Sequence, residues 1–348
     1  VTSLMMVSAV CGSGLILSLA ALVMPSAFAR GQTRCSSPGK AQATPSAFAR
    51  GRTLLAVLWL LAGCVWLSQH GVQPAAHPDS VMLLEWLPLP GSDGAAIRFQ
   101  FTCDAFRASL VICAALLWLI DIRPTARSAG FDPIPLLTGT ALLLSDLALL
   151  ALVWMLLDRI VAAGCGSDGP HGSPPAANRP HQPILPRVSG LLLIAGLLLL
   201  FSRYHTTDLT SFVSQALQDQ RPDTAIVCAG IATCLTAACV VRCGQFPFLS
   251  GIRSSLEAVP LSVSSTTFLC GALLPGLSLL MSLQPLSTLI TDNTLPLATG
   301  LLTLLATSAL ACVTRDLSSV CRLLVSGFSG LVFLAAGSDV PFGISAAA

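Results

Sequence analysis

The sequence predicts an all-α fold, a polytopic transmembrane helix bundle of about ten spans with a broken helix near 242–248. Three observations predict it. Of 348 residues, 54% are hydrophobic and only 10% are charged, whereas soluble domains carry roughly 25% charged residues and need them to cover their surface. The apolar runs are long and do not alternate, which fits helices and not the two-residue period of barrel strands. The connecting loops alternate in charge along the chain. A formal charge of +2 and this apolar composition exclude a cytosolic enzyme, a disordered tail and a basic nucleic-acid binder, so no nucleic-acid partner is expected.

A helix crosses about 30 Å of hydrocarbon with some 20 apolar residues. By that measure the spans fall at 3–24, 53–69, 105–121, 133–145, 147–164, 186–202, 224–241, 259–284, 295–313 and 317–337. The fourth and fifth could merge into one helix over 133–164, or turn at Asp146. The loop between the first two spans holds Arg30, Arg34, Lys40, Arg50 and Arg52 without an acid, and 25–52 is read as a basic cytoplasmic loop. The next loop, 70–104, carries Asp79, Glu85, Asp93 and Asp104 against Arg98. With ten spans all the basic loops share one side and both termini lie on the other; with nine, the alternation fails after residue 145. Ten is therefore the expected number. The stretch 165–185 is rich in Gly and Pro and reads as a flexible loop, and 1–348 as a single membrane domain. Ala27-Phe28-Ala29 has the form of a signal cleavage site. The apolar stretch before it is longer than a signal core and lacks a basic start, so a retained first span is expected. The segment Pro-Ser-Ala-Phe-Ala-Arg-Gly at 25–31 recurs at 45–51 as a duplicated loop piece.

Thirteen cysteines suggest a framework until they are placed. Nine fall in spans as small packing residues, no C-x-x-C occurs, and the pair Cys239 and Cys243 has no histidine nearby to complete a zinc site. All five histidines (His70, His77, His171, His181, His205) sit in predicted loops. No nucleotide loop, flavin site or iron–sulfur spacing is visible, so no cofactor, metal or catalytic site of the chain's own is expected.

The segment from Arg242-Cys243-Gly244-Gln245-Phe246-Pro247-Phe248 through Glu257 to Pro260 interrupts two apolar runs. It resembles the "KSAQxPF" signature of the antiporter-like membrane subunits of respiratory complex I, shared with Mrp-type cation/proton antiporter subunits and related bicarbonate-uptake modules. Arg242 falls on that family's lysine, Gln245 to Phe248 on its QxPF, and Glu257 on its glutamate. Gly300 to Thr303, Asp316 to Val320 and Gly330 to Gly337 resemble a second family stretch without a gap. Phe101 to Asp104, and Ser145-Asp146 followed by Trp154, resemble two earlier ones.

The resemblance implies a proton- or cation-translocating membrane subunit of a hetero-oligomeric complex, in a bacterial inner membrane or an energy-coupling organelle membrane. The path candidates are Arg242, Glu257, Asp146, Asp316 and Arg322, and the partners are the lipid bilayer and other membrane subunits. The departures concern the relay itself. The family glutamate after the fifth-span tryptophan is Met155 here, the lysine is Arg242, the eighth-span histidine is Thr267, and a Lys-Arg pair is Ser318-Ser319. The family has about fourteen spans in inverted repeats, against ten expected here, and the resemblance runs over roughly 100–337. An arginine stays charged where a lysine can release a proton, and loss of the acid at 155 removes its expected partner. Two other functions stay open: the membrane partner of an ion-gradient-driven uptake system, and a scaffold that keeps the fold without the relay. At residue level Arg242 reads either as a cap on its own helix end or as an inward functional group. Asp146 reads as a turn residue and Glu257 as suited to a helix N-terminus. Asp316, with Arg315, reads as a cytoplasmic turn, and Arg322 as a snorkelling residue or a partner for Asp316 or Glu257. The five tryptophans read as packing or interface residues.

Overall fold

Backbone N–H and C=O groups find no water in a bilayer, so apolar segments must satisfy them internally, and helices do so. The computed structural model describes residues 47–70, 79–88, 96–120, 134–164, 184–219, 221, 223–249, 269–288, 294–314 and 317–338. It shows helices in every expected span after the first, which lies outside the described residues. They are α1 (Ala47–His70), α2 (Ala105–Ile120), α3 (Ile134–Leu143), α4 (Leu147–Gly164), α5 (Ile184–Tyr204), α6 (Leu209–Gln218), α7 (Thr224–Arg242), α8 (Leu274–Leu283), α9 (Thr294–Val313) and α10 (Leu317–Gly337). The expectation of an all-α membrane protein holds. Three of these helices are long and apolar enough to cross a membrane: Leu185–Tyr204, Thr224–Arg242 and Thr294–Val313.

Two elements were not expected. Strands β1 (Asp79–Pro88) and β2 (Ala96–Cys103) pair within the acidic 70–104 loop. The short helix α6 lies in the 203–223 loop, with Leu209, Phe212 and Ala216 on its buried side and Ser214, Gln215 and Gln218 exposed. The helix of the second expected span also begins earlier than 53. Residues 47–52 already belong to α1, where alanine, phenylalanine and arginine continue the helical run through Gly51. The rest of the basic loop 25–52, and 165–183, lie outside the described residues. The eighth span is not one plain helix where it is described. A π turn, Leu269–Leu273, leads into α8, and Gln284–Thr288 follows as a 3-10 turn.

The chain falls into two compact units, 1–81 with 102–143, and 82–101 with 144–348. In the first, α1 packs on α2 and α2 on α3. Trp59, 2% exposed, lies against Gly139, where any Cβ would overlap its ring.

In the second unit the segment at Leu144 to Asp146 is extended and ends the apolar run of α3. Ser145 N donates to Gln100 O (3.1 Å), Leu147 N to Thr207 O (2.9 Å) and Leu209 N to Ser145 O (3.1 Å). Three loops are thereby stitched backbone to backbone at one end of this unit. The 3-10 turn Gln284–Thr288 joins them by packing on α6. Helices α5 and α7 pack along each other, α4 packs on α5, and α8 on α7. Helix α7 is central, with 56% of its span buried against 22% for α5 and 17% for α9. The outer leucines of α5 and α9, such as Leu191, Leu198 and Leu305, suit a lipid-facing surface. Helices α9 and α10 form a tight hairpin that rests on α7 and α8.

Candidate functional site

Helix α7 ends at Arg242 because the backbone turns at Gly244, which adopts φ 59°, a conformation that glycine takes without steric cost. Cys243, Gly244 and Gln245 still return their N–H groups to Cys239 O, Val241 O and Val240 O, so the end is satisfied locally. The Phe246–Pro247 peptide bond is cis. Arg242 has no need to cap these carbonyls, and it does not. Its side chain, 2% exposed, turns inward.

There the guanidinium meets three groups. Nη1 donates to Asp158 Oδ1 at 2.6 Å, and Nη2 donates to Gly271 O at 2.8 Å. The guanidinium carbon lies 4.8 Å from the centre of the Trp154 ring, within cation–π range. Trp154 and Asp158 are four residues apart on α4, so they stand on one helical face and present a ring and a carboxylate together. Gly271 sits in the π turn, whose altered bonding places a carbonyl toward a neighbouring segment. Elements α4, α7 and the π turn thus converge on one cation. Arg242 Nε has no partner among the described residues. The Asp158 side chain is 27% exposed, so one member of the pair is sealed and the other reaches the surface.

This arrangement corrects the expectation drawn from Met155. That side chain is 48% exposed and points away, while the acid that pairs with Arg242 is Asp158, one helical turn further on. Arg242 therefore has an acidic partner on α4. Sequence reading passed over Asp158, although an ionisable residue within an apolar span is itself a signal of function.

Of the other candidates, Asp146 is fully buried and caps α4. Its Oδ1 accepts from Ala148 N (2.9 Å) and Leu149 N (3.1 Å), and its Oδ2 accepts from the Thr207 hydroxyl (2.6 Å). It belongs to the turn, about 18 Å along α4 from Asp158 by helical rise. Glu257, Asp316 and Thr267 lie outside the described residues, as does the side chain of Arg322, whose backbone is in α10. Cys239 and Cys243 are both buried and free, and no group of three or more metal-ligating side chains occurs among the described residues.

Beyond the break, the chain is held by the α9–α10 hairpin. Gln245 Nε2 donates to Ser329 Oγ at 2.6 Å, and Phe246 N donates to Thr303 Oγ1 at 2.8 Å. Gln245 is fully buried.

No family model matches the sequence, and no curated protein matches it. Solved structures do share the fold. The chain is similar over its whole length to a chain in the structure of the Mrp complex from Dietzia sp. DQ12-45-1b, with 18% identity and a TM-score of 0.69. It is similar over 98% of its length to a chain in the membrane-bound sulfane sulfur reductase, an archaeal respiratory membrane complex, with 13% identity and a TM-score of 0.67. It spans 35% of the first of those chains and 67% of the second. Its fold is therefore that of chains found in multi-subunit membrane complexes.

Proposed function

We propose that this chain is a membrane subunit of a proton- or cation-translocating assembly of the Mrp and complex I-related kind, and that Arg242 with Asp158 is its charge-handling site. The 2.6 Å contact between them, buried at the break of an apolar helix, carries this reading. A charge pair in a membrane core is costly, and broken helices beside charged groups are where transporters handle ions. The shared fold with chains of the two membrane complexes supports it. Arg242 stays charged at any accessible pH, so in this site the proton is taken up and released by Asp158, whose carboxylate reaches the surface. Partners are other membrane subunits. Cation/proton exchange and bicarbonate accumulation fit the same fold, and the moving ion distinguishes them.

One feature favours a second reading, a scaffold without conduction. Two of the guanidinium's three nitrogens are committed to Asp158 and Gly271, an arrangement that also suits a static strut. Purification with native partners, followed by pH-gradient dissipation in proteoliposomes, separates the two. Translocation predicts that Asp158→Asn and Arg242→Ala each slow dissipation about tenfold or more, the effect of losing roughly 1.4 kcal/mol at the limiting step. An assembly that dissipates nothing, or variants that match the parent, leaves the scaffold.

A further inference from the structure

We propose that the α9–α10 hairpin is a latch on the charged site, and that Thr303 and Ser329 are positioning residues that set where Arg242 sits by holding the chain just beyond it. The inference rests on the reading of Arg242 and Asp158 as the working pair. It assigns them a control that lies outside their own three elements.

The geometry has three parts. First, the two hydroxyls come from different helices and grip neighbouring residues of the break. Thr303 of α9 accepts from Phe246 N, and Ser329 of α10 accepts from the Gln245 side chain. All three side chains are buried: Gln245 and Thr303 at 0% exposure and Ser329 at 2%. Gln245 Oε1 has no partner among the described residues, so the bond from Nε2 to Ser329 is what fixes this amide.

Second, the hairpin is stiff. A Cβ at Gly300 would stand 2.5 Å from Leu334 N and 2.6 Å from Gly330 O, so the two backbones touch. Helices packed at that distance move as one body, and both hydroxyls move with them. The hydroxyls are themselves oriented from within, since Thr303 Oγ1 donates to Thr299 O and Ser329 Oγ to Ser326 O.

Third, the linkage to Arg242 is short. Only Cys243 and Gly244 lie between Arg242 and Gln245. Cys243 is itself pinned, with its thiol donating to Leu273 O at 3.6 Å and packed where Gly276 has no Cβ. A displacement of Gln245 or Phe246 therefore has no slack in which to dissipate before it reaches the guanidinium.

Cys243 provides a readout that does not depend on transport. It is fully buried at the break, and Cys239 is equally buried one turn earlier inside the intact helix. The probe is N-ethylmaleimide applied to the purified protein with its partners, with each cysteine quantified by mass spectrometry. Cys312, exposed at the end of α9, serves as the reference site. The latch predicts that Thr303→Val, isosteric but without the acceptor, and Ser329→Ala each speed Cys243 labelling about fivefold, as loss of one buried hydrogen bond implies. Cys239 stays unlabelled, and Thr303→Ser, which keeps the acceptor, labels like the parent. Equal Cys243 labelling in all variants, or Cys239 and Cys243 rising together, overturns the latch. Transport is read in parallel. If Cys243 opens as expected while pH-gradient dissipation is unchanged, the latch stands and the working role of the pair fails; if neither changes, the latch fails alone.

Discussion

A guanidinium at 2% exposure and a carboxylate at 27% do not respond alike to losing each other. When the acid is removed, the cation is left in an apolar interior with only the Gly271 carbonyl and the Trp154 face. An unpaired buried charge of that kind typically costs about 3–5 kcal/mol. When the arginine is removed, Asp158 can turn its exposed side to water or to the interface, and the penalty is smaller. Asp158→Leu is therefore expected to lower thermal stability in detergent more than Arg242→Leu. The double replacement should recover much of the loss, because two apolar side chains restore a dry core. Comparable losses in the two single variants, with no recovery in the double, would show that the carboxylate is not the group holding the arginine. Trp154 and Asp158 together suit an arginine, whose delocalised head lies over the ring while separate nitrogens reach the acid and the Gly271 carbonyl at once. This register was hidden in the sequence by a reasonable step. The family resemblance directed attention to the residue after the tryptophan. On a helix, however, that residue stands about 100° around from Trp154, whereas the fourth residue on returns to the same face.

At the scale of elements, the apolar runs were legible because a span needs some 20 apolar residues and little else imitates that length. The break after Arg242 was legible from Pro247, while the turn at Gly244 came from the structure. The turn at Asp146 was legible as an alternative, and the structure settles it through backbone pairing with residues about 45 and 60 positions away. Such pairing leaves no local pattern, and neither do β1, β2 and the hydroxyl contacts of Thr303 and Ser329. The α9–α10 crossing, in contrast, depends on single glycines. At Gly300 an added Cβ meets backbone, which cannot swing aside, so Gly300→Ala must push the helices apart at a cost of about 1–3 kcal/mol. At Gly230 an added Cβ meets nothing, and alanine there gains roughly its intrinsic helix preference of about 1 kcal/mol. Thermal unfolding of the two variants should shift in opposite directions. The Gly300 variant should also show faster N-ethylmaleimide labelling of Cys243 if hairpin geometry governs the break.

At the scale of the whole chain, the alternation of loop charge makes a claim about sides, and the second unit supplies an independent reason to test it. Gln100 and Phe101, Leu144 to Asp146, Thr207 with α6, and the turn Gln284–Thr288 all belong to loops that the charge pattern puts on the less basic side. Backbone hydrogen bonds and packing gather these segments at one end of the unit. Odd numbers of crossings between them would have kept them apart, since a helix of about 20 residues separates its ends by roughly 30 Å. The basic stretches lie at 165–187 and 242–257, with Arg187 at the start of α5, Arg242 at the end of α7, and Arg179 and Arg253 in the sequence between helices. Reporter fusions after Asp93, Thr206 and Asp292 are therefore expected on the non-cytoplasmic side, and fusions after Ser167 and Gly251 in the cytoplasm, as positive residues are retained there. A reporter after Thr206 that behaves like one after Ser167 would break the alternation between α4 and α6. The gathered loops would then have to be explained by a hairpin re-entering from one face, and the depth assigned to Arg242 and Asp158 would change with it.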